Sequence, residues 1–100
     1  MPPLPLEKEK LENSLAIEIY TNLLTNAIPP TLGRCTALES LSISNNSLEG
    51  LIPYSLGYIQ NLMDMDISYN SLSRTIPITL NKLKEIHYLN FSYNNLNKEI

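Results

Sequence analysis

The sequence predicts a solenoid in which similar short coils stack and pair one strand each into a parallel β-sheet. Three Ile-Pro pairs, beginning at Ile28, Ile52 and Ile76, follow one another at an interval of 24 residues. Asparagines recur at the same interval, each with a leucine two residues after it. These asparagines are Asn22, Asn46, Asn70 and Asn94. Features that keep one phase over several copies do not arise from composition, so each copy is expected to form one structural unit.

Composition suits a repeat better than a globule with a single centre. The chain has 100 residues, which is room for one small domain, and 43% of them are hydrophobic. Leu and Ile dominate, with one Phe and no Trp. Many similar aliphatic side chains fit coils that each bury a short apolar segment against the next coil.

The first element of each copy is a short strand. Apolar residues alternate with polar ones in Leu41-x-Ile43 and in Met65-x-Ile67. Alternation with a period of two is typical of a strand with one buried face. One coil cannot bury its own leucines, but stacked coils can, and their strands then pair in parallel about 4.8 Å apart.

The asparagine column follows the strands. Where a strand ends, the backbone bends and leaves N–H and C=O groups inside the stack, where unpaired polar groups are costly. An inward amide both donates and accepts, so it can bond its own turn and the neighbouring coil. Asn22, Asn46, Asn70 and Asn94 are therefore predicted to form a structural ladder.

The Ile-Pro segments return the chain along the other side, where Pro is tolerated because it lies outside a central ladder. This phase gives one continuous solenoid domain with five parts. They are a degraded repeat tail or mixed-charge segment over 1–13, repeats over 14–37, 38–61 and 62–85, and a truncated repeat over 86–100.

These residues together resemble the plant-type leucine-rich repeat, L-x-x-L-x-L-x-x-N-x-L-x-G-x-I-P-x-x-L-G-x-L-x-x. The copy from Leu38 to Ile59 matches best, including Gly50, the pair Ile52-Pro53 and the pair Leu56-Gly57. The resemblance implies a right-handed α/β-type solenoid with a concave parallel β-sheet and short 3-10 or irregular segments on the convex side. It also implies a segment of the ectodomain of a receptor-like kinase or receptor-like protein.

The chain departs from that pattern at the glycine after the inward leucine, where Asn26, Arg74 and Lys98 stand. Asn tolerates a left-handed backbone, whereas Arg and Lys do so less readily. The paired cysteines of the family's N-terminal cap are absent, and uncapped terminal coils expose apolar side chains. We therefore expect a fragment, a truncated gene product or an excised stretch of a longer receptor.

Side chains between the apolar strand residues are expected to face the concave surface, in columns that cross the coils. Tyr69 and Tyr93 share one column and should be adjacent, while Ser44, Ser68 and Ser92 share another exposed column. Aromatic residues ringed by polar groups are typical of interface hot spots. The candidate ligand-binding residues are Glu18, Tyr20, Asp64, Asp66, Tyr69, Tyr88, Asn90 and Tyr93. The alternative is that the tyrosines only cover the sheet and the carboxylates are solvated.

No catalytic residue, metal site or cofactor is predicted, so the chain is not expected to be an enzyme. Asp64 and Asp66 share a strand face at roughly 6.6 Å, which suits a glycosidase pair, but an open sheet offers no pocket. Asp64-x-Asp66-x-Ser68 lacks the glycine and distal Glu of a calcium loop. His87 has no positioned nucleophile. Cys35 occupies an aliphatic position and is expected to be a small buried hydrophobe.

Two N-glycosylation sequons occur, with Asn45 and Asn90 as acceptors. Both acceptors are expected on the concave side, where a glycan would obstruct a ligand. They matter only if the chain enters the secretory pathway. Because the repeat generates such triplets easily, coincidence is the alternative.

The net charge of −3 argues against nucleic acid and against an anionic membrane as partners. Because the negative net charge is small, it does not predict a cationic partner. The sequence shows no signal peptide or membrane span, so an extracellular location at the plasma membrane is expected only as part of a receptor.

The resemblance implies a non-catalytic recognition module of a plant cell-surface receptor, with a protein or peptide ligand and a co-receptor as partners. One alternative is a secreted protein similar to the inhibitors of polygalacturonase. Others are an intracellular scaffold and a truncated receptor gene remnant.

Overall fold

A computed structural model of the chain describes residues 15–19 and 25–96. One strand of each coil joins a four-stranded sheet, here called the concave sheet. Its strands are β1 (Ala16–Glu18), β3 (Ser40–Ser42), β5 (Asp64–Asp66) and β7 (Tyr88–Asn90). Neighbouring strands are parallel and follow the 24-residue repeat, so Leu41 pairs with Ile17 on one side and Met65 on the other. This confirms the predicted solenoid with a parallel sheet.

A second parallel sheet, here called the flank sheet, follows the asparagine column. Its strands are β2 (Thr25–Asn26), β4 (Ser47–Leu51), β6 (Ser71–Arg74) and β8 (Asn95–Leu96). The register is shifted by two residues from the repeat, since Glu49 pairs with Ser71 rather than with Ser73. The sequence does not predict this sheet, because its strands are mostly polar and show no regular alternation, from Thr25–Asn26 in β2 to Leu48 and Leu51 in β4.

Short 3-10 helices follow the Ile-Pro pairs on the convex side. They are η1 (Pro30–Arg34), η2 (Tyr54–Tyr58) and η3 (Ile78–Lys82). Each begins after a proline with φ between −70° and −63°, which the pyrrolidine ring fixes before folding. The Leu56 N–H donates to the Pro53 carbonyl, and the same bond recurs in η1 and η3. The convex segments therefore have the form that the resemblance implies.

Aliphatic side chains from all these elements fill the space between the two sheets and the helices. Leu41, Ile43, Leu48 and Leu56 of the second coil are fully buried, as are their counterparts Met65, Ile67 and Leu72 in the third. The core is thus a stack of similar layers. Every layer needs a coil on both sides to exclude water from its leucines.

The convex helices stack closely because a glycine in one helix lies against a serine or threonine in the next. A Cβ atom at Gly57 would overlap the backbone oxygen of Thr79, and one at Gly33 would lie 2.6 Å from that of Ser55. In turn, Ser55 Oγ donates to the Pro30 carbonyl at 2.6 Å, and Thr79 Oγ1 donates to the Tyr54 carbonyl at 2.6 Å. These glycines therefore set the spacing of the coils on this side.

Asparagine amides join successive coils at the turn between the two sheets. The Asn70 amide donates to the carbonyls of Ile67 and Ser68 in its own turn and of Ile43 in the preceding coil, at 3.0–3.1 Å. Its Oδ1 accepts from the Leu48 N–H at 3.0 Å. Asn46 and Asn94 donate in the same way. One amide thus satisfies four backbone groups across two coils.

The last coil has a more exposed core than the coils before it. Leu89 of β7 is 37% exposed, whereas Met65 and Leu41 in the same column are fully buried. Phe91 and Leu96 are only partly buried. Within the described part of the chain nothing packs against the outer side of this coil, so its aliphatic side chains remain accessible.

Candidate ligand-binding surface

The residue before each of Asn46, Asn70 and Asn94 has a left-handed backbone and points away from the stack. Its φ is 59° at Asn45, 54° at Tyr69 and 57° at Tyr93. Asn visits this region with little penalty, but an aromatic residue there is an uncommon and strained choice. The fold nonetheless places tyrosine there in two successive coils. Such strain is often found at sites where function requires a particular side chain.

Tyr69 and Tyr93 stack on one another beside the concave sheet. Their ring centroids are 4.2 Å apart and the planes differ by 8°. Tyr69 is 52% and Tyr93 68% exposed, so the burial of their side chains offsets little of the free-energy cost of the strained backbone. The pair presents a flat aromatic surface to solvent, defined here as the tyrosine stack.

The Tyr93 phenol affects the ionisation of Tyr69. A hydrogen bond with the Tyr93 phenol is the main cause that raises the pKa of Tyr69 above its usual value of 10.0. Partial loss of hydration and the charge of a Tyr93 phenolate act in the same direction. Tyr69 therefore stays a neutral phenol at physiological pH.

Asp66 ends β5, three residues before Tyr69, and its side chain is bonded to Ser68. Its Oδ1 accepts from the Ser68 N–H at 3.0 Å and from the Ser68 hydroxyl at 2.6 Å. In the next coil Asn90 accepts the same two bonds from Ser92. Ser68 itself is only 2% exposed, so the prediction of an exposed serine column is wrong at this residue. Ser92 makes the same bonds in the last described coil and stays exposed, so coverage by the following coil, rather than the bond to Asp66, buries Ser68.

The register of the concave sheet brings the remaining candidates together across β5 and β7. Asp64 pairs with Tyr88, and Asp66 pairs with Asn90. The Asn90 amide donates to the Tyr88 hydroxyl at 3.1 Å, which fixes the tyrosine beside the carboxylates. The resulting set is Asp64, Asp66, Tyr69, Tyr88, Asn90 and Tyr93.

The other candidates lie elsewhere. Glu18 of β1 is exposed but two strands away, opposite Ser42, which in turn pairs with Asp66. Tyr20 and the ladder residue Asn22 lie outside the described residues, as do Lys98 and the segment 1–13. At the glycine position Asn26 and Arg74 have φ of 66° and 71°, as Gly50 does at 84°.

The two sequon asparagines have different surroundings. Asn45 is exposed and occupies, one coil earlier, the position that Tyr69 and Tyr93 hold in the next two coils. Asn90 is half-buried at the end of β7, and both ends of its amide are bonded to protein groups. A glycan on Asn90 would break the bonds that hold Tyr88 and Ser92.

A second group of exposed aromatic residues lies on the convex side and was not among the predicted site residues. Tyr54 and Tyr58 of η2 make an edge-to-face contact with centroids 6.0 Å apart. The Lys82 ammonium lies 5.5 Å from the Tyr58 ring centre, within cation–π range. The signal in the sequence that could have found this group is the spacing of four residues between two tyrosines at one convex helix.

Groups suited to catalysis do not assemble at the concave surface. Within the described residues no three His, Cys, Asp or Glu side chains lie close enough to hold a metal ion. His87 is exposed just before β7, and Cys35 is buried in the core. In the same part of the chain, no helix has the length and apolar character needed to cross a membrane.

Comparison with known proteins agrees with this geometry. The model of the family described as "Leucine rich repeat" matches residues 36–96, which is more than half of the chain. A comparison with curated proteins gives no match.

The solved structures similar to the chain include three plant receptors or receptor ectodomains, each in complex with a ligand. With the LRR ectodomain of the plant membrane receptor kinase GASSHO1/SCHENGEN3 from Arabidopsis thaliana, in complex with CASPARIAN STRIP INTEGRITY FACTOR 2, the TM-score is 0.90 at 30% identity. With the Arabidopsis receptor kinase HAESA, in complex with the peptide hormone IDA and the co-receptor SERK1, it is 0.87 at 32%. With the plant peptide hormone receptor RGFR1, in complex with RGF2, it is 0.90 at 33%.

Each match covers 95% of this chain but only 11%, 16% and 15% of those three chains respectively. The chain thus spans a small part of the length of the proteins that it matches. The stacked coils, the asparagine ladder and the family model agree, and the chain belongs to the leucine-rich repeat family.

Proposed function

We propose that this chain is a non-catalytic segment of a plant cell-surface receptor, and that its concave surface binds a protein or peptide ligand. The tyrosine stack carries the proposal. Two aromatic residues are held in an unfavourable backbone region, exposed to solvent, where the preceding coil has asparagine. A side chain that costs the fold without being buried is expected to act on something outside the fold.

The solved relatives support this proposal. HAESA is described in complex with a peptide hormone and a co-receptor, and RGFR1 is described as a peptide hormone receptor. A peptide ligand and a co-receptor are accordingly the proposed partners, and the extracellular face of the plasma membrane is the proposed location. The open form of the surface supports a binding role over catalysis, because enzymes need a site that excludes water around the reacting atoms.

A peptide selection tests the proposal on the full chain. A random dodecapeptide library is selected on the immobilised protein, and an enriched peptide is synthesised for affinity measurement by fluorescence anisotropy. We expect the double variant Tyr69→Asn/Tyr93→Asn to weaken binding by about tenfold or more, as loss of hot-spot residues does. Asparagine is chosen because Asn45 shows that it fits this backbone.

The convex tyrosines provide a matched control. The double variant Tyr54→Ser/Tyr58→Ser also removes two exposed aromatic rings, but from the other side of the molecule. Unchanged affinity in this control together with a loss in the concave variant supports the proposal. The reverse pattern, or a library without any enriched peptide, would contradict it.

A further inference from the structure

The charges on the concave surface have one sign. Carboxylates stand on its strands at Glu18, Asp64 and Asp66. The described basic residues are all elsewhere: they are Arg34 in η1, Lys82 in η3, Arg74 in β6 and Lys84 between η3 and β7. Within the described residues none of the three carboxylates makes an ion pair. Glu39, Glu49 and Glu85 also lie outside these strands, so both signs of charge occur there, whereas the charged residues of the concave strands are all carboxylates.

We propose that the concave surface takes an extended peptide segment that carries lysine or arginine side chains. This inference rests on the proposed function and adds the chemical class of the ligand. An uncompensated set of carboxylates on an open surface attracts cationic groups and opposes anionic ones, both during encounter and in the complex.

Asp66 shows that the negative charge is not a requirement of the fold. Its carboxylate accepts two bonds from Ser68, but Asn90 accepts the same two bonds from Ser92 with a neutral amide. Asparagine would therefore serve the turn of β5 equally well. The carboxylate adds a charge that the local structure does not use, three residues before Tyr69 in the chain.

The tyrosine stack completes a site for a long basic side chain. The outer faces of Tyr69 and Tyr93 can receive a guanidinium or ammonium group, and their edges can cover its aliphatic stem. Asp66 precedes Tyr69 by one short turn, and Asp64 lies beside Tyr88 across the sheet. Alternating aromatic and acidic groups across β5 and β7 match an extended chain that presents several basic residues.

A metal ion fits the same carboxylates less well. Asp64 and Asp66 have no third acidic or histidine partner close by within the described part of the chain. Cations such as Ca²⁺ take six to eight oxygen ligands, which an open strand surface does not supply. The flat aromatic component also has no role in metal binding, whereas it suits arginine.

Three labelled peptides test the inference on the full chain. They share an alternating Gly-X octapeptide in which X is arginine, glutamine or glutamate, and their affinities are measured by fluorescence anisotropy at low and at physiological salt. We expect the arginine peptide to bind about tenfold or more tightly than the glutamine peptide, and the glutamate peptide to bind most weakly. The arginine preference should shrink as salt is raised.

Two charge-neutralising variants separate a local effect from the net charge. Asp66→Asn keeps the bonds to Ser68, as Asn90 demonstrates, and should weaken the arginine peptide about threefold, the range of one exposed ion pair. Glu49→Gln makes the same change in net charge on the flank sheet, where Glu49 is exposed, and should leave the affinity unchanged. Equal losses in the two variants would overturn the inference.

The outcomes distinguish this inference from the proposed function. If the glutamine or glutamate peptide binds as tightly as the arginine peptide and Tyr69→Asn/Tyr93→Asn abolishes that binding, the surface binds peptides but has no preference for basic ones. If the arginine peptide binds the tyrosine variant and Asp66→Asn as tightly as it binds the unmodified chain, both the proposed preference and the proposed site are wrong. Far-ultraviolet circular dichroism of each variant verifies that the fold is retained.

Discussion

Two columns of residues lie side by side in the turn after each concave strand. Asn70 points into the stack and bonds four backbone groups, whereas Tyr69, its neighbour in the chain, points out and is half exposed. The inward column has the same residue in every coil of the sequence, while the outward one changes from Asn45 to tyrosine.

The difference separates what the fold requires from what it permits. An inward side chain must donate to three carbonyls and accept one N–H, and only an amide of this length does so. The outward position requires only a left-handed backbone, which asparagine would satisfy with little strain. Tyrosine at that position is not required by the backbone, and this is the basis of the binding role proposed above.

The largest effect is expected for Asn70→Ala, which removes the inward amide. The Leu48 N–H and the Ile43 carbonyl lose their partner in a partly buried setting. We expect the free energy of unfolding to fall by about 3 kcal/mol, measured by chemical denaturation. Asn61→Ala, at an exposed residue, is the control and should change it by less than about 0.5 kcal/mol. A similar loss in both variants would show that the ladder has no special role.

A somewhat smaller effect is expected for Gly57→Ala, where the coils approach most closely. The added Cβ overlaps the Thr79 backbone, so the convex segments must separate, and we expect a loss of about 2 kcal/mol in unfolding free energy. Asn81→Ala changes the corresponding residue of η3, which is exposed and already has a Cβ atom. If Gly57→Ala is as neutral as that control, coil spacing is not set here.

An increase in the free energy of unfolding is expected for Arg74→Gly, at another outward position with a left-handed backbone. Arg74 has φ of 71° and is exposed, so glycine relieves strain without loss of packing. The strain of about 1–2 kcal/mol is partly offset by the greater freedom of glycine in the unfolded chain. We expect a net gain of about 0.5–1 kcal/mol, against none for Arg74→Lys. A loss of stability in Arg74→Gly would show that the backbone at this residue is not strained.

The smallest effect is expected for Tyr93→Phe, which keeps the stacked ring and removes its hydroxyl. The pKa of Tyr69 should return toward its usual value of 10.0, because the hydrogen bond to the Tyr93 hydroxyl, which favours the neutral Tyr69 phenol, is the main cause of its shift. A raised folded pKa favours the neutral phenol. Its stabilising effect is therefore present below the usual pKa of 10.0 and is lost as the pH rises through the folded pKa. Ultraviolet absorbance of phenolate against pH measures the change, and identical titration curves would contradict the assigned cause.

The sequence predicts the parts of this molecule that repeat. The alternation at Leu41-x-Ile43 predicts β3, and the asparagine interval predicts amides that bridge the coils, because burial and hydrogen bonding impose the same residue in each coil. The flank sheet is missed because its strands are short and mostly polar, with a buried leucine only at Leu48 in β4 and Leu72 in β6, which gives no periodicity. The exposure of Ser68 is predicted wrongly because it depends on coverage by the following coil, which Ser92 lacks although it makes the same bonds.

The candidate site is predicted only in outline. Parallel pairing places Tyr69 beside Tyr93, but their left-handed backbone has no signal in the sequence, since tyrosine is not a residue that favours it. The separation of charges also depends on the fold, because Arg74 and Asp66 are close in the chain but lie on different sheets.

The stability of Tyr69→Asn/Tyr93→Asn tests most directly whether the outward column serves binding rather than folding. Chemical denaturation of this double variant, compared with the unmodified chain and with Asn70→Ala, gives the result. We predict an unchanged or higher denaturation midpoint, because asparagine fits the left-handed backbone better than tyrosine does. A midpoint that falls as far as that of Asn70→Ala would show that the tyrosine stack is part of the structure and not a binding surface.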